Sequence, residues 1–210
     1  MAEIQNRITG IIGRKGTGKS RLMEGRLLGA DRIFVWDALG EHDWSPNELT
    51  SAEHVEQFFR WNRKKTFWAA NYVPGDDLEA ELEEICPTLY DRGHLTFAIE
   101  EVPLVCTASH LSRRFGKLIR TGRHRQIDML WTAQRASEVS RTLTSLTDEF
   151  VLFSQTEPRD LDAIAARCGS PVADRVAQLG RHDYIVWDVG DRKLSEVWLM
   201  PSAQKDPSAA

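Results

Sequence analysis

A glycine-rich octapeptide near the start of the chain constrains the fold more than any other stretch. Gly13-Arg14-Lys15-Gly16-Thr17-Gly18-Lys19-Ser20 matches G-x-x-x-x-G-K-[ST], follows the apolar run 8–12 and leads into the helix-compatible stretch 21–28. Glycines allow the backbone to wrap a polyphosphate without Cβ clashes, so that successive N–H groups and the helix N-terminus point at the anion. This order of strand, loop and helix predicts a nucleotide-binding P-loop.

The side chains of this loop predict how ATP and Mg²⁺ would be held. Lys19 would reach the β- and γ-phosphates. Ser20 would hold Mg²⁺ through its hydroxyl, because this small, hard cation prefers oxygen ligands. All residues of 13–20 are therefore predicted ATP contacts, and a Gly-rich turn that binds nothing is the alternative.

A second motif ends the apolar run that begins at Leu95. This run stops abruptly at two carboxylates, Glu100 and Glu101, and a strand of this type delivers them to the carboxyl edge of a sheet. One carboxylate there can hold the Mg²⁺ shell through water, and the next can orient or deprotonate the attacking water. The pair has the Walker B form, and an acidic turn without chemistry is the alternative.

Apolar runs that read as strands alternate with amphipathic stretches along the chain. Strands are predicted at 8–12, 32–37, 66–70, 95–101, 127–132 and 149–154, helices at 21–28, 51–61, 78–89, 108–122, 137–146, 159–167 and 172–179, and a hairpin at 184–199. This alternation predicts an α/β fold with a mostly parallel central sheet flanked by helices and a C-terminal β-hairpin. A single P-loop ATPase domain is expected at 1–200, with a disordered tail at 201–210.

Composition narrows the possible classes of protein. A chain of 210 residues with 41% hydrophobic residues is long enough to bury a substantial core. No apolar run approaches the roughly 20 residues that span a bilayer, and no signal-peptide pattern opens the chain, so a cytoplasmic location is expected. Three cysteines without a C-x-x-C pattern indicate neither a disulfide framework nor a zinc site. A formal net charge of -4 means that any nucleic-acid binding would depend on a local patch.

One strongly basic stretch stands out in this acidic chain. No acidic residue occurs between Glu101 and Asp128, and the basic cluster within this stretch comprises Arg113, Arg114, Lys117, Arg120, Arg123, His124 and Arg125. The first three are predicted DNA contacts, because such side chains can bind backbone phosphates without reading the bases. The alternative for this basic cluster is a solvated charged face without a ligand. For the acidic residues in 76–84, a solvated face is the preferred interpretation.

Four segments resemble the FtsK/HerA superfamily of P-loop ATPases, which pump nucleic acids. They are the P-loop 13–20, the strand and Gly-Glu segment 35–42, the strand 97–101 and the segment 122–135. The last is the most specific, because a Gly-Arg start, an apolar strand and a closing Thr-x-Gln-Arg separate this family from ordinary AAA or transporter ATPases. Residues 179–184 are also similar to a late Leu-Gly-Arg-Gly-Asp segment of the family. This chain departs from the family at His42, where an aromatic residue is usual, and at Glu100, where Asp is more common.

The resemblance implies a fold and a set of residue roles. The fold would be that of an additional-strand, RecA-like P-loop NTPase. Glu100 would belong to the metal site, Glu101 would be the catalytic base, and Gln134 would be the sensor that reports the γ-phosphate to the DNA-contacting parts. An arginine finger offered to the neighbouring subunit would be Arg123, with Arg120 as the alternative. A polar strand-end residue without a sensor role stays open for Gln134, and a plain phosphate or DNA contact stays open for Arg123.

The resemblance covers about residues 7 to 190. Within the superfamily, the chain looks like the minimal packaging ATPases of tailless, membrane-containing double-stranded DNA viruses. It implies a Mg²⁺-dependent ATPase that translocates duplex DNA without sequence preference and packages a viral or prophage genome. A homo-oligomeric ring, expected to be a hexamer, and capsid vertex proteins would be its partners in the host cytoplasm or at the capsid. A P-loop regulatory or assembly protein that binds ATP as a switch stays open. A phage-export ATPase is less favoured, because those proteins resemble membrane proteins.

Overall fold

The structure is a computed structural model that describes residues 6–199. Within this range the strands are β1 (Ile8–Ile12), β2 (Arg32–Trp36), β3 (Glu48–Leu49), β4 (Trp68–Tyr72), β5 (Leu95–Ile99), β6 (Ile127–Ala133), β7 (Glu149–Phe153), β8 (Asp183–Asp188), β9 (Lys193–Leu194) and β10 (Trp198–Leu199). The helices are α1 (Lys19–Leu27), α2 (Ala52–Trp61), α3 (Leu78–Arg92), α4 (Arg113–Thr121), α5 (Arg141–Ser145), α6 (Pro158–Cys168) and α7 (Ser170–Ala177). Short 3₁₀ turns cover Val102–Leu104, Gly122–Arg125 and Ala136–Glu138. The expected tail at 201–210 lies outside the described residues.

The strands form one sheet in the order β10-β8-β7-β1-β6-β5-β2-β4-β3, with β9 also paired to β8. Strands β1 to β7 pair in parallel, and β8 runs antiparallel to β7. Strand β6 lies between β1 and β5, so an additional strand separates the P-loop strand from the strand that precedes Glu100 and Glu101. The predicted mostly parallel sheet and its additional-strand order are therefore confirmed. The predicted hairpin is confirmed as well, because β9 and β10 both fold back along β8.

The two faces of the sheet are covered unequally. Helices α2 to α7 pack their apolar faces on one side, where Trp36 stacks on Tyr72 with ring centroids 5.1 Å apart. On the other side α1 buries Met23 and Leu27 against alternate residues of the strands, such as Val35. Each fully buried large side chain contributes roughly 1.5–3 kcal/mol by leaving water. This burial holds the carboxyl ends of the central strands in fixed register beneath the P-loop.

Some predicted elements differ from the structure. The strand predicted at 66–70 is β4, which begins two residues later, and β3 was not predicted because two residues carry no periodic pattern. The helix predicted at 137–146 is only α5, since the side chain of Ser140 accepts the N–H of Thr142 and starts the helix there. Within residues 6–199, no helix combines the length and the apolarity that crossing a membrane requires.

The acidic residues of α3 are not simply a solvated face, and this part of the sequence interpretation was wrong. The carboxylate of Glu83 accepts hydrogen bonds from Ser112 Oγ at 2.7 Å and from the backbone N–H groups of Arg114 at 2.6 Å and Phe115 at 2.8 Å. Glu83 therefore caps the N-terminus of α4 from a neighbouring helix. Glu81 likewise accepts the Tyr72 hydroxyl at 2.8 Å.

We expect Glu83→Gln to lower the free energy of unfolding by about 1 kcal/mol at pH 7, because a neutral amide oxygen is a weaker acceptor in a partly exposed site. Burial raises the pKa of Glu83, but the hydrogen bonds from Ser112, Phe115 and Arg114 outweigh burial and hold that pKa below its usual value. The contribution is complete above the unfolded-state pKa and is lost as the pH falls through the folded-state pKa. Urea unfolding at pH 7 and at decreasing pH measures this difference. Glu84→Gln, on an exposed residue of α3, is the matched control, and equal effects of both variants would contradict the capping role.

Candidate nucleotide-binding and catalytic site

The P-loop connects the end of β1 to the start of α1 at the carboxyl edge of the sheet. The N–H of Gly13 donates to Ala133 O at 3.1 Å, and Thr17 closes the loop by donating from Oγ1 to Arg14 O at 2.9 Å. Gly18 has a φ of 107°, a conformation that favours glycine. A Cβ atom on Gly13 would lie 2.6 Å from Phe153 Cβ, so this close approach also requires glycine. The predicted cradle for a polyphosphate is consistent with this geometry.

Lys19 is buried at the base of the cradle, with 7% of its side chain exposed. Its ammonium lies 3.5 Å from Glu101 Oε1 and 3.5 Å from Arg14 O. Burial lowers the pKa of Lys19, while the charge and the hydrogen bond of Glu101 oppose this effect. The structure thus brings together the predicted phosphate-binding lysine and the predicted catalytic carboxylate.

Ser20 and Glu100 meet at the same edge. The hydroxyl of Ser20 donates to Glu100 Oε1 at 2.5 Å, while Glu100 Oε2 is buried without a hydrogen-bond partner in the described residues. Burial raises the pKa of Glu100, while the Ser20 hydrogen bond and the charge of His42 oppose this effect. A hydroxyl beside an unsatisfied carboxylate oxygen suits Mg²⁺ or a water of its shell. Within residues 6–199 no group of three or more His, Cys, Asp or Glu side chains could hold a metal ion, so such a Mg²⁺ would depend on Ser20, Glu100, phosphate oxygens and water.

His42 contributes to this site in a way that the sequence did not reveal. Its Nε2 lies 3.2 Å from Glu100 Oε1, and its ring packs edge-on against Trp44. The fully buried Asp37 shapes the loop by accepting the N–H groups of Gly40 at 2.9 Å and His42 at 3.2 Å. His42, where the resembled family usually has an aromatic residue, therefore places an imidazole against Glu100, the carboxylate predicted to hold the metal.

Glu101 and Gln134 lie at the ends of adjacent strands. Glu101 has a φ of 49°, an uncommon conformation for a residue with a side chain, and its N–H donates to Thr132 Oγ1 at 2.9 Å. Gln134 directly follows β6, whose last residue pairs with the end of β1, so it is placed beside the P-loop. The backbone oxygen of Gln134 accepts a hydrogen bond from the buried Gln155 at 2.9 Å.

Arg120 and Arg123 lie at the opposite edge of the sheet. Arg123 belongs to the 3₁₀ turn that precedes β6, and both arginines are exposed. Together with Asn6 and Asp148 they line a cavity of about 260 Å³. The structure therefore does not bring either predicted finger to the P-loop of its own chain.

The predicted DNA contacts lie at the start of α4 and line a groove of about 510 Å³ against α3. Arg113 is exposed, whereas Arg114 donates to Glu83 O at 3.2 Å and the Lys117 ammonium lies 4.9 Å from the Tyr90 ring centroid. Part of the basic cluster is therefore engaged in holding α3 and α4 together. Arg113 is the predicted contact with the most freedom to bind a phosphate.

Several solved structures are similar to this chain. The genome packaging NTPase of Sulfolobus turreted icosahedral virus 2, solved with AMPPCP, has a TM-score of 0.77 at 17% identity and covers 94% of this chain and 98% of its own. VirB4 of Thermoanaerobacter pseudethanolicus has a TM-score of 0.60 at 10% identity, covering 97% and 94%. The N-terminal domain of zonular occludens toxin from Neisseria meningitidis has a TM-score of 0.56 at 13% identity, covering 94% and 96%.

No protein-family model and no curated protein sequence matches the chain. Because the structural neighbours are only 10–17% identical in sequence, the similarity shows a shared fold. The chemistry has to be argued from the residues of the site. Separately, the sequence motifs of this chain resemble those of P-loop ATPases of the FtsK/HerA type. The chain therefore has the fold of the viral genome packaging NTPase and of VirB4.

Proposed function

We propose that this chain is a Mg²⁺-dependent ATPase that translocates double-stranded DNA and packages a viral or prophage genome. The observation that carries the proposal is the convergence of Lys19, Ser20, Glu100 and Glu101 at one edge of the sheet. An ion-pairing lysine, a hydroxyl beside an unsatisfied carboxylate and a second carboxylate are the parts that phosphoryl transfer to water requires. The fold shared with a genome packaging NTPase supports the same proposal.

Nucleotide binding would use the backbone and side chains of the P-loop. The N–H groups of 13–20 and the N-terminus of α1 would hold the phosphates, and the Lys19 ammonium would pair with the terminal ones. Ser20, and Glu100 through water, would hold Mg²⁺, which would neutralise the charge on the phosphate oxygens. His42 would keep the Glu100 carboxylate oriented, since its imidazole lies 3.2 Å away.

Glu101 would act on the attacking water. Contacts between Lys19 and the phosphates would compete with the 3.5 Å contact between Lys19 and Glu101. Glu101 would then be free to orient the water and accept its proton. Gln134, beside Gly13, would sense the γ-phosphate and relay its loss along β6.

A homo-oligomeric ring would complete the site, with 1–200 as one ATPase domain in each subunit and six subunits as the expected number. Arg123 lies at the amino edge of the sheet, so it would serve a neighbour's nucleotide, and Arg120 is the alternative. Duplex DNA would bind through Arg113, Arg114 and Lys117 by contacts to its phosphates. Capsid vertex proteins would be further partners, in the host cytoplasm or at the capsid.

We expect duplex DNA to bind regardless of base sequence and with strong salt dependence, because phosphate contacts release counterions. Replacing Arg113, Arg114 and Lys117 with Gln should reduce the slope of log K against log salt by about two to three units. Fluorescence anisotropy with labelled duplexes of two unrelated sequences measures both properties.

The matched control replaces Arg63, Lys64 and Lys65 with Gln, which removes the same charge from exposed residues that follow α2. This control should leave the slope unchanged. An equal loss in both triple variants would mean that only net charge matters, and an unchanged slope in the α4 variant would mean that this face is merely solvated. Either result would contradict the proposed DNA contacts.

A further inference from the structure

The turn between α7 and β8 lies directly against the P-loop. A Cβ atom on Gly16 would lie 2.9 Å from Arg181 Nη2, so the Arg181 guanidinium packs against the exposed Gly16 of the P-loop. The neighbouring His182 places Nδ1 3.3 Å from Thr17 O. These contacts join residues that lie far apart in the sequence, and they make Arg181 part of the wall of the cradle.

The backbone of this turn is fixed without help from the Arg181 side chain. The N–H of Gly180 donates to Asp183 Oδ2 at 3.1 Å, and the N–H of Asp183 donates back to Gly180 O at 3.2 Å. Strand β8 begins at Asp183 and pairs with β7, whose carboxyl end lies beside the P-loop. The turn is therefore a short, closed connection that presents Arg181 to the loop from a rigid element.

The charged side chains around Gly16 are positive. Arg14 and Lys15 are exposed beside Gly16, and Arg181 adds a third cation. Within residues 6–199, the side chain of Arg181 forms no hydrogen bond or ion pair, and Arg14 donates only to Thr156 Oγ1 at 3.5 Å. Like charges repel in such an arrangement, whereas a polyphosphate between them would supply acceptors for the planar guanidinium.

We infer that Arg181 is a nucleotide-binding residue that contacts the polyphosphate of a nucleoside triphosphate in the P-loop of its own chain, with His182 positioning the turn. This inference rests on the proposed function, because it assigns a further ligand to the same nucleotide site. Arg181 differs from the proposed finger in that it acts within one subunit.

The test is a titration of fluorescently labelled ATP and ADP with the full chain carrying Arg181→Gln. A lost charge-assisted hydrogen bond to phosphate should raise the Kd for both nucleotides by about tenfold or more. Arg181→Lys should recover part of the affinity, because it restores a point charge without the planar fork. Arg175→Gln, on an exposed residue of α7, is the matched control and should bind as the wild type does.

Lys19→Ala, measured in the same titration, separates this inference from the proposed function. If Lys19→Ala loses nucleotide binding and Arg181→Gln binds as tightly as Arg175→Gln, Arg181 is not a ligand, although the P-loop is functional. If Lys19→Ala binds ATP normally, the assignment of the P-loop as the nucleotide site is wrong. Thermal unfolding without nucleotide should give the same Tm for Arg181→Gln and the wild type, and a large loss in Tm would assign Arg181 a structural role instead.

Discussion

Glu101→Gln should lower the rate of ATP hydrolysis by about 10² to 10⁴-fold while ATP still binds with nearly the wild-type Kd. Glutamine has the size of glutamate, and the backbone N–H of residue 101 can still donate to Thr132 Oγ1. The amide cannot accept the proton of the attacking water, so only the chemical step loses an interaction. Lys19→Ala should instead lose ATP binding, because it removes the cation that would pair with the phosphates in the ground state.

Phosphate release and titration with fluorescently labelled ATP measure the two parameters separately. Glu56→Gln makes the same chemical change on an exposed residue of α2 and should behave as the wild type does. Unchanged turnover in Glu101→Gln would remove Glu101 from the role of general base. A loss of binding in the same variant would show instead that its contact with Lys19 organises the empty cradle.

Arg123→Ala should lower ATP turnover by about 10³ to 10⁵-fold, the range that an arginine finger can contribute. Arg123 precedes β6, while Gly13, Glu101 and Gln134 follow their strands, so the arginine cannot reach its own P-loop across the length of the sheet. Mixing Arg123→Ala, which keeps an intact P-loop, with Lys19→Ala, which keeps an intact finger, should therefore restore part of the activity. Rings of mixed composition would contain some complete sites between subunits.

Turnover of the mixture is compared with that of each variant alone, after size measurements confirm that both subunits enter the same rings. Arg63→Ala, on an exposed arginine that follows α2, is the control for loss of a surface charge. An inactive mixture of co-assembled rings, or normal turnover in Arg123→Ala alone, would exclude Arg123, and Arg120 would then be tested in the same way. A wild-type protein that turns over ATP as a monomer would exclude the shared site altogether.

Most of the fold could be predicted because its elements carry strong local patterns. The P-loop fixes the order of strand, loop and helix, and the apolar runs before Asp37, Glu100 and Gln134 identify the buried parallel strands. The positions of Lys19, Ser20, Glu100 and Glu101 at one edge then follow from parallel pairing. The edge strand β3 could not be predicted, because two residues paired through backbone groups leave no side-chain pattern.

The side-chain contacts that refine the site depend on residues far apart in the sequence. Asp160 at the start of α6 is fully buried and holds Arg135 at 3.2 Å, which fixes the turn after Gln134. Glu83 neutralises part of a basic stretch that appears free of acids along the chain. Arg181 was noticeable only as part of a segment similar to the family, and its contact with Gly16 required the packing of the α7–β8 turn.

The central claim is that this chain hydrolyses ATP in order to move DNA. Its most direct test is the rate of phosphate release by the wild-type protein with Mg²⁺ and ATP, measured without and with saturating duplex DNA. We predict turnover that depends on Mg²⁺, rises when DNA of any sequence is added, and is absent in Lys19→Ala. Phosphate release that stays at the level of Glu101→Gln in the presence of DNA, while ATP binds through Lys19, would contradict the claim and identify the protein as an ATP-dependent switch.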